Sequence, residues 1–145
     1  AVSRMVDMGV PGYLVASSVV AILAQRLIRT VCPKCKVRYT PPENILNDAG
    51  FTPEMLEGAT FMKGKGCNTC QKTGYKGRIG IHEVLTIDGK IREMIFANAS
   101  TTDLRKRAIS GGMDTLFIDG MRKAARGITT IEEVYRVAKK TEQDH

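Results

Sequence analysis

Four cysteines carry the strongest chemical signal in the chain: Cys32-Pro-Lys-Cys35 and Cys67-Asn-Thr-Cys70, two C-x2-C knuckles separated by 31 residues. A two-residue gap lets a chain turn back so that both sulfurs face one point. Two such knuckles supply four thiolates for a closed tetrahedral zinc site with Zn–S bonds of roughly 2.3 Å. With no position left for water, such a site is structural rather than catalytic. Disulfides, a redox pair and free thiols are competing readings of the same residues, and iron takes the same ligand set. The spacing, together with the lack of a basic segment and cleavage site of secretory type, favours zinc.

Charge gathers around these cysteines. The 145-residue chain holds 22 Lys and Arg against 15 Asp and Glu, a formal net charge of +7. Ten of those cations lie in two acid-free stretches beside the knuckles: Arg26, Arg29, Lys34, Lys36 and Arg38, then Lys63, Lys65, Lys72, Lys76 and Arg78. Coordination would deprotonate four thiols and add a divalent ion, lowering the formal charge to about +5, and the neighbouring cations would favour thiolate over thiol. Part of the basic excess is thereby accounted for, which weakens a nucleic-acid reading. A zinc-ribbon nucleic-acid-binding domain remains the alternative. Its aromatics, Tyr39, Phe51, Phe61 and Tyr75, are not interleaved with cations in a stacking series.

Other catalytic patterns fail on inspection. Gly64-Lys65 is followed by Gly66, and Gly58 stands one place too far upstream for a phosphate-cradling loop. His82-Glu83 has no second His at the required spacing, no nucleophile–base–acid set is supported, and His145 sits in a polar tail. Asp7, Asp88, Asp103 and Asp119 fall at expected helix ends, where capping explains them. Arg105-Lys106-Arg107 reads as a solvated helix face. No catalytic or cofactor-binding residue is expected, and the chain alone should catalyse nothing.

The elements that must position the cysteines follow from periodicity and punctuation. A first helix closes at Gly9, and apolar residues from Tyr13 to about Thr30 recur at helical spacing, so one long buried helix is expected to lead to the first knuckle. This stretch is too interrupted to span a bilayer. Thr40 and Thr52 should open short helices ended by Gly50 and Gly58, and Arg78–Leu85 could be a strand. Asp88, Ser100, Thr115 and Thr129 should open four further helices. Residues 33–66, rich in Pro, Gly and polar groups, look poorly able to hold themselves without metal. The expected fold is mainly α, with a small, irregular, β-containing tetracysteine module between helices: residues 1–30 helical, 31–85 metal module, 86–145 helical subdomain. The opening residues read as mid-helix, so a longer parent chain is expected.

Several segments together resemble a known family. Asp7-Met8-Gly9-Val10, Leu14-Val15-Ala16-Ser17-Ser18, Ala24-Gln25-Arg26-Leu27-Ile28-Arg29 and Cys32-Pro33-x-Cys35 are similar to the C-terminal region of the type II secretion and type IV pilus assembly ATPases. So are Gly66-Cys67-x-x-Cys70, Thr73-Gly74-Tyr75-x-Gly77-Arg78-x-Gly80-Ile81, Gly112-Met113, Asp119-Gly120-Met121 and Gly127-Ile128-Thr129-Thr130-x-Glu132-Glu133-Val134. The resemblance implies a parent that is a hexameric, cytoplasmic P-loop (RecA-like) ATPase, peripheral at the inner membrane and docked on a platform protein there. ATP and Mg2+ would bind only upstream residues of that parent. The family's tetracysteine element maps onto Cys32, Cys35, Cys67 and Cys70, and its presence points to an assembly or secretion motor. Gln25 and Arg26 either face the nucleotide-bearing core or form the polar edge of a packed helix.

Overall fold

A computed structural model describes residues 2–138. The elements run α1 (Val2–Asp7), α2 (Gly12–Ser18), β1 (Ala21–Val31), β2 (Lys36–Arg38), α3 (Glu43–Ala49), α4 (Pro53–Leu56), β3 (Met62–Gly64), β4 (Tyr75–Thr86), α5 (Gly89–Phe96), α6 (Thr101–Ser110), α7 (Leu116–Ala125) and α8 (Ile131–Val137). The described residues form two compact units, one of 2–24 and 83–115, the other of 25–82 and 116–138. No described helix is long and apolar enough to cross a membrane.

The first unit is an apolar helical cluster. Val15 and Ala16 of α2, Ile87, Ile91 and Ile95 on and before α5, and Leu104 of α6 form its buried core. Two side-chain caps start its helices: Asp88 accepts the Ile91 N–H at 2.8 Å, and Ser100 accepts the Asp103 N–H at 3.1 Å. Each satisfies a backbone donor that the first helical turn leaves unpaired. Both were legible as caps in the sequence. The Arg105–Arg107 run is less solvated than expected, since Arg105 pairs with Glu83 at 3.2 Å and Arg107 with Asp88 at 3.8 Å.

The second unit has a larger core, in which Ile28 and Ile81 from the strands meet Leu46, Ala49, Phe51, Phe61, Phe117, Met121, Ile131 and Val134. Phe51 and Phe61 meet edge-on with ring centroids 5.5 Å apart. Residues 43–61 are thus anchored by apolar contacts of Leu46, Ala49, Phe51 and Phe61, which the Pro, Gly and polar composition of 33–66 did not suggest. Gly120 lets α7 and α8 approach closely, because a Cβ there would lie 2.7 Å from Val134 Cγ1.

The long helix expected over Tyr13–Thr30 is not formed. Helix α2 ends at Ser18, and the chain continues as the eleven-residue strand β1, paired with β4. Ser17 turns its hydroxyl back onto the Tyr13 carbonyl at 2.8 Å, and the β-branched pair Val19-Val20 follows. β-Branched side chains favour extended backbone, and a distant partner strand supplies the ladder that a helix would have supplied locally. β4 contains the strand expected at Arg78–Leu85. α8 starts one residue later than expected: its cap is Thr130, which accepts the Glu133 N–H at 3.1 Å. α3 begins at Glu43 after Pro42 with no side-chain cap, so Thr40 does not play the expected role, whereas Thr52 does cap α4.

Candidate metal centre

The two knuckles are brought together by backbone. β2 leaves the first and β3 leads towards the second, and they pair antiparallel in the register Lys36↔Gly64, Val37↔Lys63, Arg38↔Met62. Bonds on either side extend the tie: the Lys65 N–H donates to the Cys35 carbonyl at 3.2 Å and the Cys32 N–H to the Gly74 carbonyl at 2.9 Å. Gly64 and Gly74 pass in backbone contact, since a Cβ on Gly64 would overlap the Gly74 carbonyl oxygen. Gly74 also sits at φ +83°, the left-handed region that glycine enters without penalty.

All four sulfurs converge. Their Sγ atoms lie within 4.8 Å of one another. Cys32–Cys67 and Cys35–Cys70 are 3.8 Å apart and Cys67–Cys70 is 3.7 Å apart. A tetrahedron with metal–sulfur bonds of roughly 2.3 Å has an edge of about 3.8 Å, so these separations fit a four-thiolate ion. They are far longer than a covalent S–S bond of about 2.05 Å, and the four cysteines are free thiols. Cys32 and Cys70 are buried while Cys35 and Cys67 are half-buried, which keeps water away from most of the cluster.

Backbone N–H groups point at the sulfurs. Those of Cys67 and Gly74 reach Cys70 Sγ at 3.3 and 3.2 Å, and that of Gly66 reaches Cys35 Sγ at 3.4 Å. Burial opposes ionisation of Cys70, yet these donors and the neighbouring thiols bring it down to about 6. Cys67 is lowered as well, chiefly by a backbone hydrogen bond from Cys70. Burial pushes Cys35 up to about 11 against the single Gly66 donor. Donors aimed at sulfur stabilise thiolate, the form a metal binds.

The module's aromatics are engaged internally. Phe51 and Phe61 are buried, Lys63 Nζ lies 5.5 Å over the Tyr39 ring, and the Arg29 guanidinium lies 4.2 Å over the Tyr75 ring. They are not an open series of stacking platforms such as single-stranded nucleic acid uses.

A buried carboxylate close to the centre escaped the sequence reading. Glu133, fully buried on α8, accepts the Arg29 backbone N–H at 2.7 Å, Arg29 Nη2 at 3.0 Å, and Arg136 Nε and Nη2 at 2.7 and 2.8 Å. Burial alone would raise its pKa, but these donors hold it down to about 2. The signal for it in the sequence is Thr130-x-x-Glu133, a capping-box spacing that overlaps the equally spaced Thr129-x-x-Glu132 one residue earlier. The other candidates are placed as follows. Gln25 and Arg26 are exposed on β1, with Gln25 Nε2 beside Gly80. His82 is exposed, and its backbone N–H donates to Asp119 Oδ2 at 2.8 Å. Asp119 also holds Lys123 at 2.9 Å, so it ties β4 to α7 rather than serving only the end of a helix. His145 lies outside the described residues.

Comparison with known proteins adds the family. The model of the type II/IV secretion system protein family matches residues 1–136. The chain belongs to that family. This family member is 43% identical over 134 residues to the type IV pilus assembly ATPase PilB of Thermus thermophilus, covering 92% of this chain and 15% of that protein. It is 40% identical over 139 residues to the type II secretion system protein HxcR of Pseudomonas aeruginosa, covering 96% of this chain and 26% of the relative. Against the type II secretion system ATPase E of Vibrio cholerae it is 38% identical over 141 residues, covering 97% and 27% respectively. The chain therefore spans about a quarter or less of the length of these relatives.

Proposed function

We propose that this chain is the zinc-bearing C-terminal region of a motor ATPase that powers pilus assembly or type II secretion. Its own part is structural and docking rather than hydrolytic. The observation that carries the reading is the convergence of four sulfurs within 4.8 Å of one another, with three of the separations at 3.7–3.8 Å, in a chain whose relatives are named as secretion and pilus ATPases. Cys32, Cys35, Cys67 and Cys70 would hold the ion, which supplies four metal–thiolate bonds that crosslink the two knuckles.

The residues set the consequences. N–H donors from Cys67 and Gly74 to Cys70 and from Gly66 to Cys35 are already aimed at the sulfurs that would bind the ion. The exposed residues Lys34, Lys36, Lys63, Lys65, Lys72 and Lys76 flank the two knuckles along the chain and would present a basic surface to an acidic partner. In the parent, which we take to be a cytoplasmic hexamer peripheral to the inner membrane, that partner is the platform protein. ATP and Mg2+ would bind residues outside this chain. The internal use of Tyr39 and Tyr75 weighs against the zinc-ribbon nucleic-acid alternative.

Elemental analysis of purified protein tests the metal: one zinc per chain is expected, and none would refute the reading. A double Cys32→Ser, Cys35→Ser variant of the full-length parent tests the role. It should still hydrolyse ATP while fibre assembly or secretion fails; undiminished assembly would refute a docking role. Oligonucleotide affinity titrated against salt separates the rival, which requires tight, steeply salt-dependent binding.

A further inference from the structure

The Glu133 cluster lies on a continuous route from the cysteines to α8. Cys32 and Cys70 both bond to Gly74: the Cys32 N–H reaches its carbonyl at 2.9 Å, and its own N–H reaches Cys70 Sγ at 3.2 Å. The next residue, Tyr75, opens β4. Its hydroxyl meets Thr130 Oγ1 at 2.6 Å, and Thr130 is the cap of α8. Its ring lies under the Arg29 guanidinium, which in turn grips Glu133. Arg29 is three residues before Cys32 on the strand that enters the first knuckle. Along that strand, the Thr129 hydroxyl donates to the Arg29 carbonyl at 2.8 Å and the Val31 N–H to the Ile128 carbonyl at 2.9 Å.

Among the described residues Glu133 is the one buried anion, and it ties β1, the strand that enters the first knuckle, to α8, while Tyr75 of β4 reaches the same helix through Thr130. Five donated hydrogen bonds, four from the Arg29 and Arg136 side chains and one from the Arg29 backbone amide, fix its position, and it fixes theirs. Side chains beyond a metal's direct ligands set how well the ligands are pre-oriented, and their loss weakens metal binding. We propose that Glu133 is a positioning residue for the metal centre: through Arg29 and Tyr75 it couples metal occupancy to the docking of α8. The proposal rests on the metal reading above. Because coupling is reciprocal, a metal that binds more tightly when α8 is docked must also hold α8 in place.

The test uses the full chain loaded with zinc, titrated against a chelator of known affinity, with backbone hydrogen exchange read over Ile131–Val137. Glu133→Gln should weaken zinc retention by about tenfold, the lower end for residues beyond the first ligand sphere. Asp119→Asn, which breaks a different carboxylate's ties in the same unit, should leave retention unchanged. In the unsubstituted chain, zinc removal alone should speed exchange in α8, so the proposal can be checked without any variant. Combining removal with Glu133→Gln should cost less protection than the two changes summed. Equal zinc retention in Glu133→Gln and the unsubstituted chain, or strictly additive losses, would overturn the coupling while leaving the metal reading intact. An unsubstituted chain that retains no zinc would overturn both.

Discussion

The two units solve the same problem by different means. The unit of residues 2–24 and 83–115 rests on aliphatic side chains such as Ile87, Ile91 and Ile95, with its helices started by Asp88 and Ser100. The other has an aromatic-rich core but must also hold the cysteine segments, where buried apolar residues give way to Gly, Lys and Thr. There the chain substitutes four convergent sulfurs, a short ribbon and a buried carboxylate clamped by two arginines. Apolar packing is non-directional and tolerates adjustment, whereas sulfur geometry and charged hydrogen bonds hold only at specific positions. The difference predicts that each unit fails in its own way.

The largest expected effect is that of metal removal. Chelation, or Cys32→Ser, should expose backbone amides over 32–38 and 62–76, while α5 keeps its protection in hydrogen exchange; loss of α5 protection in step would erase the distinction. Next come the two cores. Phe117→Ala should cost about 3–5 kcal/mol and Ile91→Ala about 2–5 kcal/mol in denaturant unfolding, both residues being almost fully buried. Of the two, Ile91→Ala should leave zinc retention unchanged.

Glu133→Gln should cost about 1.5–3 kcal/mol at neutral pH, because charge-assisted hydrogen bonds to a fully buried carboxylate are lost while Arg29 and Arg136, both partly exposed, can turn to water. Its pH dependence has a definite sign. The native carboxyl titrates near 2 against an ordinary 4.5, so its contribution is full above about pH 4.5 and drains away as pH falls towards 2. Stability curves of the variant and the unsubstituted chain should therefore converge in acid. Ser100→Ala removes one cap of α6 and should cost about 1 kcal/mol. Lys90→Ala, whose 4.0 Å contact with Glu93 is exposed on both sides, should stay within about 0.5 kcal/mol.

What the sequence revealed was local. The C-x2-C spacings identified the four residues that the fold gathers, and Thr52, Asp88 and Ser100 were readable as caps because a cap and its partner lie three residues apart. β1 was misread because an apolar run such as Ile22-Leu23-Ala24 fits either period, and its partner β4 is more than forty residues away. Glu133 was missed for the same reason: its meaning depends on Arg29, 104 residues earlier. A carboxylate at the third position of a helix looks like ordinary first-turn charge until the strand that buries it is known.

The three-residue ribbon of β2 and β3 has one further implication, for insertions. Because it pins both ends of the stretch between them, an insertion at the exposed Glu57–Gly58 corner should lengthen the excursion without shifting any sulfur. A tag or reporter placed there could ride on the module while the ion stays held.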